Sequence, residues 1–241
     1  MKVVAPVALL RKFQALADAR LRRRLVADTL AELEPRSTAQ FLEHLLEGLD
    51  LPELRALYLD AALALLDPAI LSEELRAAVR LVLEAEPGHP VSVLLSQVVG
   101  TSAPPRARPP GYDLEEMPLG VRKAHARRRD RDMLSRLAAD PDPSVIAILL
   151  DNPFVTEVEV LKVASLRPQN SAIFGVVVTS TRFGVRESVI AALVQNPWCP
   201  VRMALALLPL VSAARLRAVQ SSPRLDPRLH DAAKVLLSRR L

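Results

Sequence analysis

Apolar residues recur at helical spacing through most of this chain. Leu9, Phe13, Leu16 and Leu21 open one stripe, and Leu25, Leu30 and Leu33 carry it to Pro35. Ser37 with Gln40 reads as a capping box opening "TAQFLEHLLEGL", and Asp50 with Glu53 opens "PELRALYLDAALALL", with Pro52 in its first turn. Asp67–Pro68 stops that helix, because the residue before a proline is pushed out of the α region. "SEELRAAVRLVLEAE" predicts another helix from Ser72 to Pro87, and a last short one follows Pro90. The first hundred residues therefore read as a bundle of about five helices.

The next stretch, Gly100–Asp113, carries Pro104, Pro105, Pro109 and Pro110. Proline fixes φ and removes the amide donor, so a helix interior is excluded and a linker over 101–116 is expected. That predicts two domains, residues 1–100 and 117–241.

The second of these writes one phrase twice. "SVIAILLDNP" at Ser144–Pro153 returns as "SVIAALVQNP" at Ser188–Pro197, 44 positions on. Asp142 is placed to cap the first copy, with Pro143 at the first helical position. Val145, Ile146, Leu149 and Leu150 share a face, and Asn152 before Pro153 must end the helix. Thr156 with Glu159 opens the next helix. The shift also maps Phe154 onto Trp198 and Leu161 onto Leu205, with Pro200 in place of Thr156 as the helix starter. A weaker echo runs to Leu229, Ala233 and Leu237. The repeat-defining positions are Asn152, Pro153, Asn196 and Pro197. Helical hairpins of this period bury their apolar faces against each other, which predicts an α-solenoid. Between the copies, the three valines of "SAIFGVVVTSTRFG" suit a strand, but a lone strand lacks a partner, and a buried helix is expected.

Composition agrees. The chain is 50% hydrophobic with only 3% aromatic residues, so Leu, Val, Ala and Ile build the core, a helical palette. No stretch approaches the ~18 apolar residues that would span a bilayer, and Cys199 is the single cysteine, which excludes an internal disulfide. A soluble bacterial cytoplasmic protein without a membrane partner is the simplest expectation.

Charge is unevenly spread. Residues 25–100 hold 13 acidic and 4 basic groups, whereas residues 101–241 hold 21 basic and 13 acidic. The densest basic run is "VRKAHARRRDRDMLSR", Val121–Arg136. Read as one helix, it places Arg122, Arg129 and Arg136 close to one face and Arg128 and Arg131 on the neighbouring one, with Lys123 nearby. Such a helix can grip phosphates, but Asp130 and Asp132 interrupt it and no aromatic stacking partner lies near in sequence. A solvated polar face is the blander alternative.

Catalytic chemistry finds no foothold. The four histidines, His44, His89, His125 and His230, lack metal-ligand spacing, and neither a phosphate-cradling glycine loop nor a nucleophile elbow appears. Cys199 precedes Pro200 where a helix should begin, a position that lowers a thiol's pKa, and a Cys-Pro pair can ligate haem. A small buried residue beside Trp198 is the plainer reading. No catalytic, cofactor or metal residue is assigned.

The period near 44 resembles HEAT or armadillo-type repeats. The wording "LAADPDPSVIAILLDNPFVTEVEVLKVA", Leu137–Ala164, is similar to the leucine-rich repeat variant family, with its Asp-Pro-x-x-x-Val, Asn-Pro and a following Thr or Pro. Leu137 and Leu161 fall 24 apart, close to that family's shorter period. The resemblance covers residues 135–241. It implies a curved repeat surface used for binding, and the family's iron–sulfur cluster cannot carry over to a chain with one cysteine.

The fold class expected is all-α, an N-terminal helical bundle followed by a HEAT-like α-solenoid of helical hairpins. The expected function is non-enzymatic protein–protein interaction or scaffolding, with Arg122, Lys123, Arg128, Arg129, Arg131, Arg136 and Trp198 as candidate surface residues and another protein as partner. The alternative is nucleic-acid binding through the Arg-rich run, resembling the HEAT-type alkylpurine DNA glycosylases. That family needs an aromatic and an acidic residue converging in a groove, for which Trp198 with Asp151 or Glu187 would stand in.

Overall fold

The computed structural model describes residues 11–13, 15, 16, 18–66, 72–84, 114 and 116–239. Every regular element among them is helical, as the all-α expectation requires. In chain order these are α1 (Ala19–Glu32), α2 (Pro35–Glu47), α3 (Pro52–Leu66), α4 (Glu73–Glu84), α5 (Leu119–Ala126), α6 (Arg131–Leu137), α7 (Pro143–Asp151), α8 (Glu157–Ser165), α9 (Ser171–Val178), α10 (Glu187–Val194), α11 (Val201–Leu207), the 3-10 turn Leu208–Leu210, α12 (Ala213–Gln220) and α13 (Pro227–Arg239). None of the described helices is long and apolar enough to cross a membrane. The helix expected after Pro90 and most of the proline-rich segment 101–116 lie outside the described residues.

The chain forms two compact units. One gathers Met1–Val99 with Val201–Ser221 and Pro227–Leu241, and the other holds Gly100–Pro200 with Ser222–Asp226. This grouping differs from a division at the linker, because the residues after Pro200 belong mostly with the N-terminal helices.

The reason lies in α3. From Leu57 to Leu65 every side chain of this helix is buried, Asp60 among them against Arg22 and Arg23, and a helix buried on every side must be surrounded. Helices α1, α2 and α11 all pack on it. Polar groups fix the last of these contacts. Arg55 donates to the carbonyl of Leu210 at 2.7 Å, and the buried Tyr58 hydroxyl donates to the carbonyl of Ala206 at 3.1 Å. α2 begins two residues before the expected capping box: Glu34 is extended ahead of Pro35 at the first helical position, which leaves Ser37 inside the helix. α4 starts as expected, with the Ser72 hydroxyl accepting the amide of Leu75 at 3.3 Å.

In the second unit, three helices pack on the one two places further along: α5 on α7, α7 on α9, and α8 on α10. The apolar faces read from sequence are the buried ones. Val145, Ile146, Leu149 and Leu150 of α7 and Val189, Ile190, Leu193 and Val194 of α10 are all in the core. Caps follow the expected chemistry: Asp142 accepts from the Ser144 amide at 2.8 Å, and Thr156 and Glu159 close a reciprocal capping box. The valine run is helix α9, capped by Asn170. Gly184 lies in the loop after it, where any side chain would run into the carbonyl oxygens of Val178 and Ser180.

Two expectations are corrected here. The 44-residue shift carries α7 onto α10, which is three helices and not a whole number of hairpins. The extra length is α9 and its loop. The basic run Val121–Arg136 is likewise two helices, α5 and α6, so its seven-residue arginine spacing defines no common face. Asp130 breaks it by turning out of the helix and accepting the amide of Met133 at 3.1 Å, which caps α6.

Candidate interaction surface

The repeated Asn-Pro phrase builds the joints of the second unit. Proline holds the preceding asparagine extended, with Asn152 at φ −70° and ψ 123°, so its side chain turns back across the neighbouring helix end. The Asn152 amide donates to the carbonyls of Ala126 and Arg128 at 2.8 and 2.9 Å, while its oxygen accepts from the amide of Phe154 at 2.9 Å. Asn196 repeats this with Ala164 and Leu166 at 2.8 and 2.9 Å, and with Trp198 at 3.0 Å. In each case a helix end is tied to the end of the helix two places back, and the orphan carbonyls there are satisfied.

These bonds string the turns into two series. In the first, Asn152 joins the α7–α8 turn to the α5–α6 turn. Arg182 then joins the α9–α10 loop to it, donating to the carbonyls of Asn152 at 2.7 Å and Val155 at 3.2 Å. In the second, Asn170 reaches the carbonyl of Pro141 at 3.4 Å, and Asn196 and Arg167 tie the α10–α11 turn to the α8–α9 turn. Phe154 and Trp198, matched in the sequence repeat, therefore belong to different series.

Phe154 is the residue that sequence reading missed. It is 43% exposed, and the Arg129 guanidinium lies over its ring at 4.7 Å, a cation–π pair worth about 0.5–1 kcal/mol at an exposed site. Its signal was the mapping onto Trp198, one place after Asn-Pro. Arg129, Asp130, Arg131, Pro153 and Phe154 line an open cavity of about 570 Å³. Arg129 and Arg131 in its lining are exposed, as are Arg127 and Arg128 just before them in the chain. The aromatic partner that the basic run lacks in sequence is thus supplied from the next turn in space.

The other expected surface residues divide. Arg122 is not a surface cation: its guanidinium clasps the fully buried Asp140 at 2.5 and 2.6 Å and also reaches the carbonyl of Met117. Lys123 is half-buried, its carbonyl held by Arg127 at 3.0 Å. Arg128 and Arg131 point outward, and Arg136 is exposed further along α6. Trp198 is half-buried in the other series of turns, and Asp151, at the end of α7, is exposed. Cys199 is buried, and burial pushes its thiol well above the ordinary value, so the thiolate chemistry of a helix cap is not what this site provides.

The carboxylates near the cavity are occupied. Burial raises the Glu159 carboxyl, but hydrogen bonds from the Thr156 hydroxyl and amide, with Arg131 nearby, outweigh it and leave the group below its usual range. Glu157 is lowered by its hydrogen bonds from Ser188 and then Arg186. Neither is poised as a general base at neutral pH. Among the described residues, no group of His, Cys, Asp and Glu could hold a metal ion. Comparison with protein-family models, curated proteins and solved structures finds no match to the chain.

Proposed function

We propose that the chain is a non-enzymatic interaction protein, a helical-repeat scaffold of the solenoid type that presents the first series of turns to a protein partner. The observation that carries this reading is the Arg129–Phe154 pair beside its open cavity. Arginine and aromatic side chains dominate the energetics of protein interfaces, particularly where they flank a pocket. Here both are held by backbone anchored through the buried Asn152, so little ordering cost is left for binding. Val158, 71% exposed in the first turn of α8, adds apolar surface to the same series.

The test is affinity capture from native extract with the wild type and with the Arg129→Ala/Phe154→Ala double variant, each with and without nuclease. A protein retained by the nuclease-treated wild type and lost from the variant supports the reading. Equal retention by both removes this surface from the function.

Nucleic-acid binding remains the second reading, favoured by four exposed arginines in five residues next to an aromatic ring. Its glycosylase-like form has less support, because Trp198 lies in the opposite series of turns from that cluster. Nucleic acid recovered by the wild type, and lost after nuclease or at higher salt, would favour it.

A further inference from the structure

We infer that the α5–α6 turn with Phe154 recognises an acidic peptide segment, one in which carboxylates flank an apolar side chain. This rests on the proposed interaction surface and specifies its partner. Four exposed guanidiniums, Arg127, Arg128, Arg129 and Arg131, crowd one turn. Asp130, which caps α6, and Asp132 offset two of these four charges and leave the turn net positive. The local surface is therefore positive and seeks anions, and arginine's planar fork suits carboxylates well. Beside Arg129 and Arg131, Pro153, Phe154 and the cavity of about 570 Å³ offer room for an apolar side chain.

The positive charge does not continue along the series of turns, and this decides between a peptide and a nucleic-acid strand. In the next loop, Arg182 is spent on the carbonyls of Asn152 and Val155, and Arg186 pairs with Glu157 at 2.5 Å. Glu157 and Glu159 lie between. A nucleic-acid strand needs a cationic track along its phosphates, and here it would meet carboxylates after one turn. Phe154 has a ring face already taken by Arg129, which leaves it better suited to edge and side-chain contacts than to stacking a base. A compact acidic motif matches both the size of the cluster and its apolar centre.

The experiment measures fluorescence anisotropy of labelled probes with the full chain at low and moderate salt. The probes are a twelve-residue peptide with Asp and Glu on both sides of one Phe, its Asn/Gln counterpart, the acidic peptide with Phe replaced by Gly, and a twelve-nucleotide single-stranded DNA. The acidic Phe peptide should bind at least tenfold more tightly than the other three. Arg128→Glu/Arg131→Glu should abolish that binding and Phe154→Ala should weaken it about tenfold. Arg215→Ala, an exposed arginine on α12, should leave it unchanged. Circular dichroism of each variant confirms that the fold survives. Tighter binding of the DNA, indifference to the Phe, or full binding by the charge-reversed variant would overturn the inference. If no peptide binds while a protein is still captured through Arg129 and Phe154, the surface stands and only its acidic specificity falls.

Discussion

Arg122 closes on Asp140 with both carboxylate oxygens within 2.6 Å of one guanidinium nitrogen, and Asp140 has no exposed surface at all. Asp140 also accepts the amide of Asp142 at 2.9 Å, so the pair locks the end of α5 to the turn that starts α7. Breaking a buried pair from one side strands the other charge. Arg122→Ala should therefore cost about 3–5 kcal/mol. Asp140→Asn keeps an acceptor for the Asp142 amide and should cost less, and combining the two should restore part of the loss. Urea unfolding followed by the fluorescence of Trp198, the only tryptophan, reports on this unit. A cost below about 1 kcal/mol for Arg122→Ala would make the pair no more than a surface bridge.

The asparagine joints make a second prediction. Each amide nitrogen satisfies two carbonyls that have no other partner in the helix ends, so Asn152→Ala or Asn196→Ala should cost about 1–3 kcal/mol through the unpaired polar groups left behind. Aspartate is the sharper probe. It keeps the acceptor for the following amide but faces two carbonyl oxygens with a negative charge, which raises its folded pKa. Relative to wild type, Asn196→Asp should then be least destabilised in acid and lose stability as pH rises past the ordinary carboxylate range. A deficit relative to wild type that is the same at pH 4 and pH 7 would contradict the joint.

Much of this was legible from residue types alone. Local rules placed the Asp142 and Thr156 caps and the helix end at Asn152, because each depends on neighbours within four residues. The valine run, by contrast, is helical against its local preference and was legible only from the want of a partner strand. What failed was non-local. Nothing in "VRKAHARRRDRDMLSR" says that Arg122 will find a buried carboxylate eighteen positions on while Arg129 finds a ring twenty-five positions on. Both lie in the same charged run, and only the packing of α5 against α7 separates their fates. The 44-residue repeat misled for a related reason: the Asn-Pro phrase specifies a joint between alternate helices, and a joint can recur in either series of turns.

Acid should loosen the second unit through Glu157. Its hydrogen bonds from Ser188 and then Arg186 hold the carboxyl below its ordinary value. A depressed folded pKa adds stability above the unfolded value of about 4.3, and that stability is lost as pH falls through the folded one. Glu157→Gln and Ser188→Ala should thus be less stable than wild type at pH 7, with the gap closing towards pH 3. Asp60, in the other unit, runs the opposite way. Burial raises its carboxyl against the pull of Arg23 and Arg22, so its contribution fades as pH rises. Because Trp198 reports on the unit containing Glu157, the acid limb of its fluorescence separates the two. A gap that widens in acid would refute the assignment.

The C-terminal helices complete the N-terminal bundle through Tyr58 and Arg55. Tyr58→Phe removes the buried bond to the Ala206 carbonyl and should cost about 0.5–1.5 kcal/mol. The larger consequence is for fragments. Residues 1–100 alone lack Leu205, Ala206, Leu207 and Leu208, all buried in the intact chain, and would bare the face of α3 that α11 covers. Burying each such leucine is worth about 1.5–3 kcal/mol, comparable in sum to the whole stability of a domain this size. Fragment 1–100 should therefore show a shallow, non-cooperative melt by circular dichroism. The same fragment joined by a flexible linker to residues 201–239 should melt cooperatively. If 1–100 melts as sharply as the joined version, the grouping of α11–α13 with the N-terminal helices is wrong.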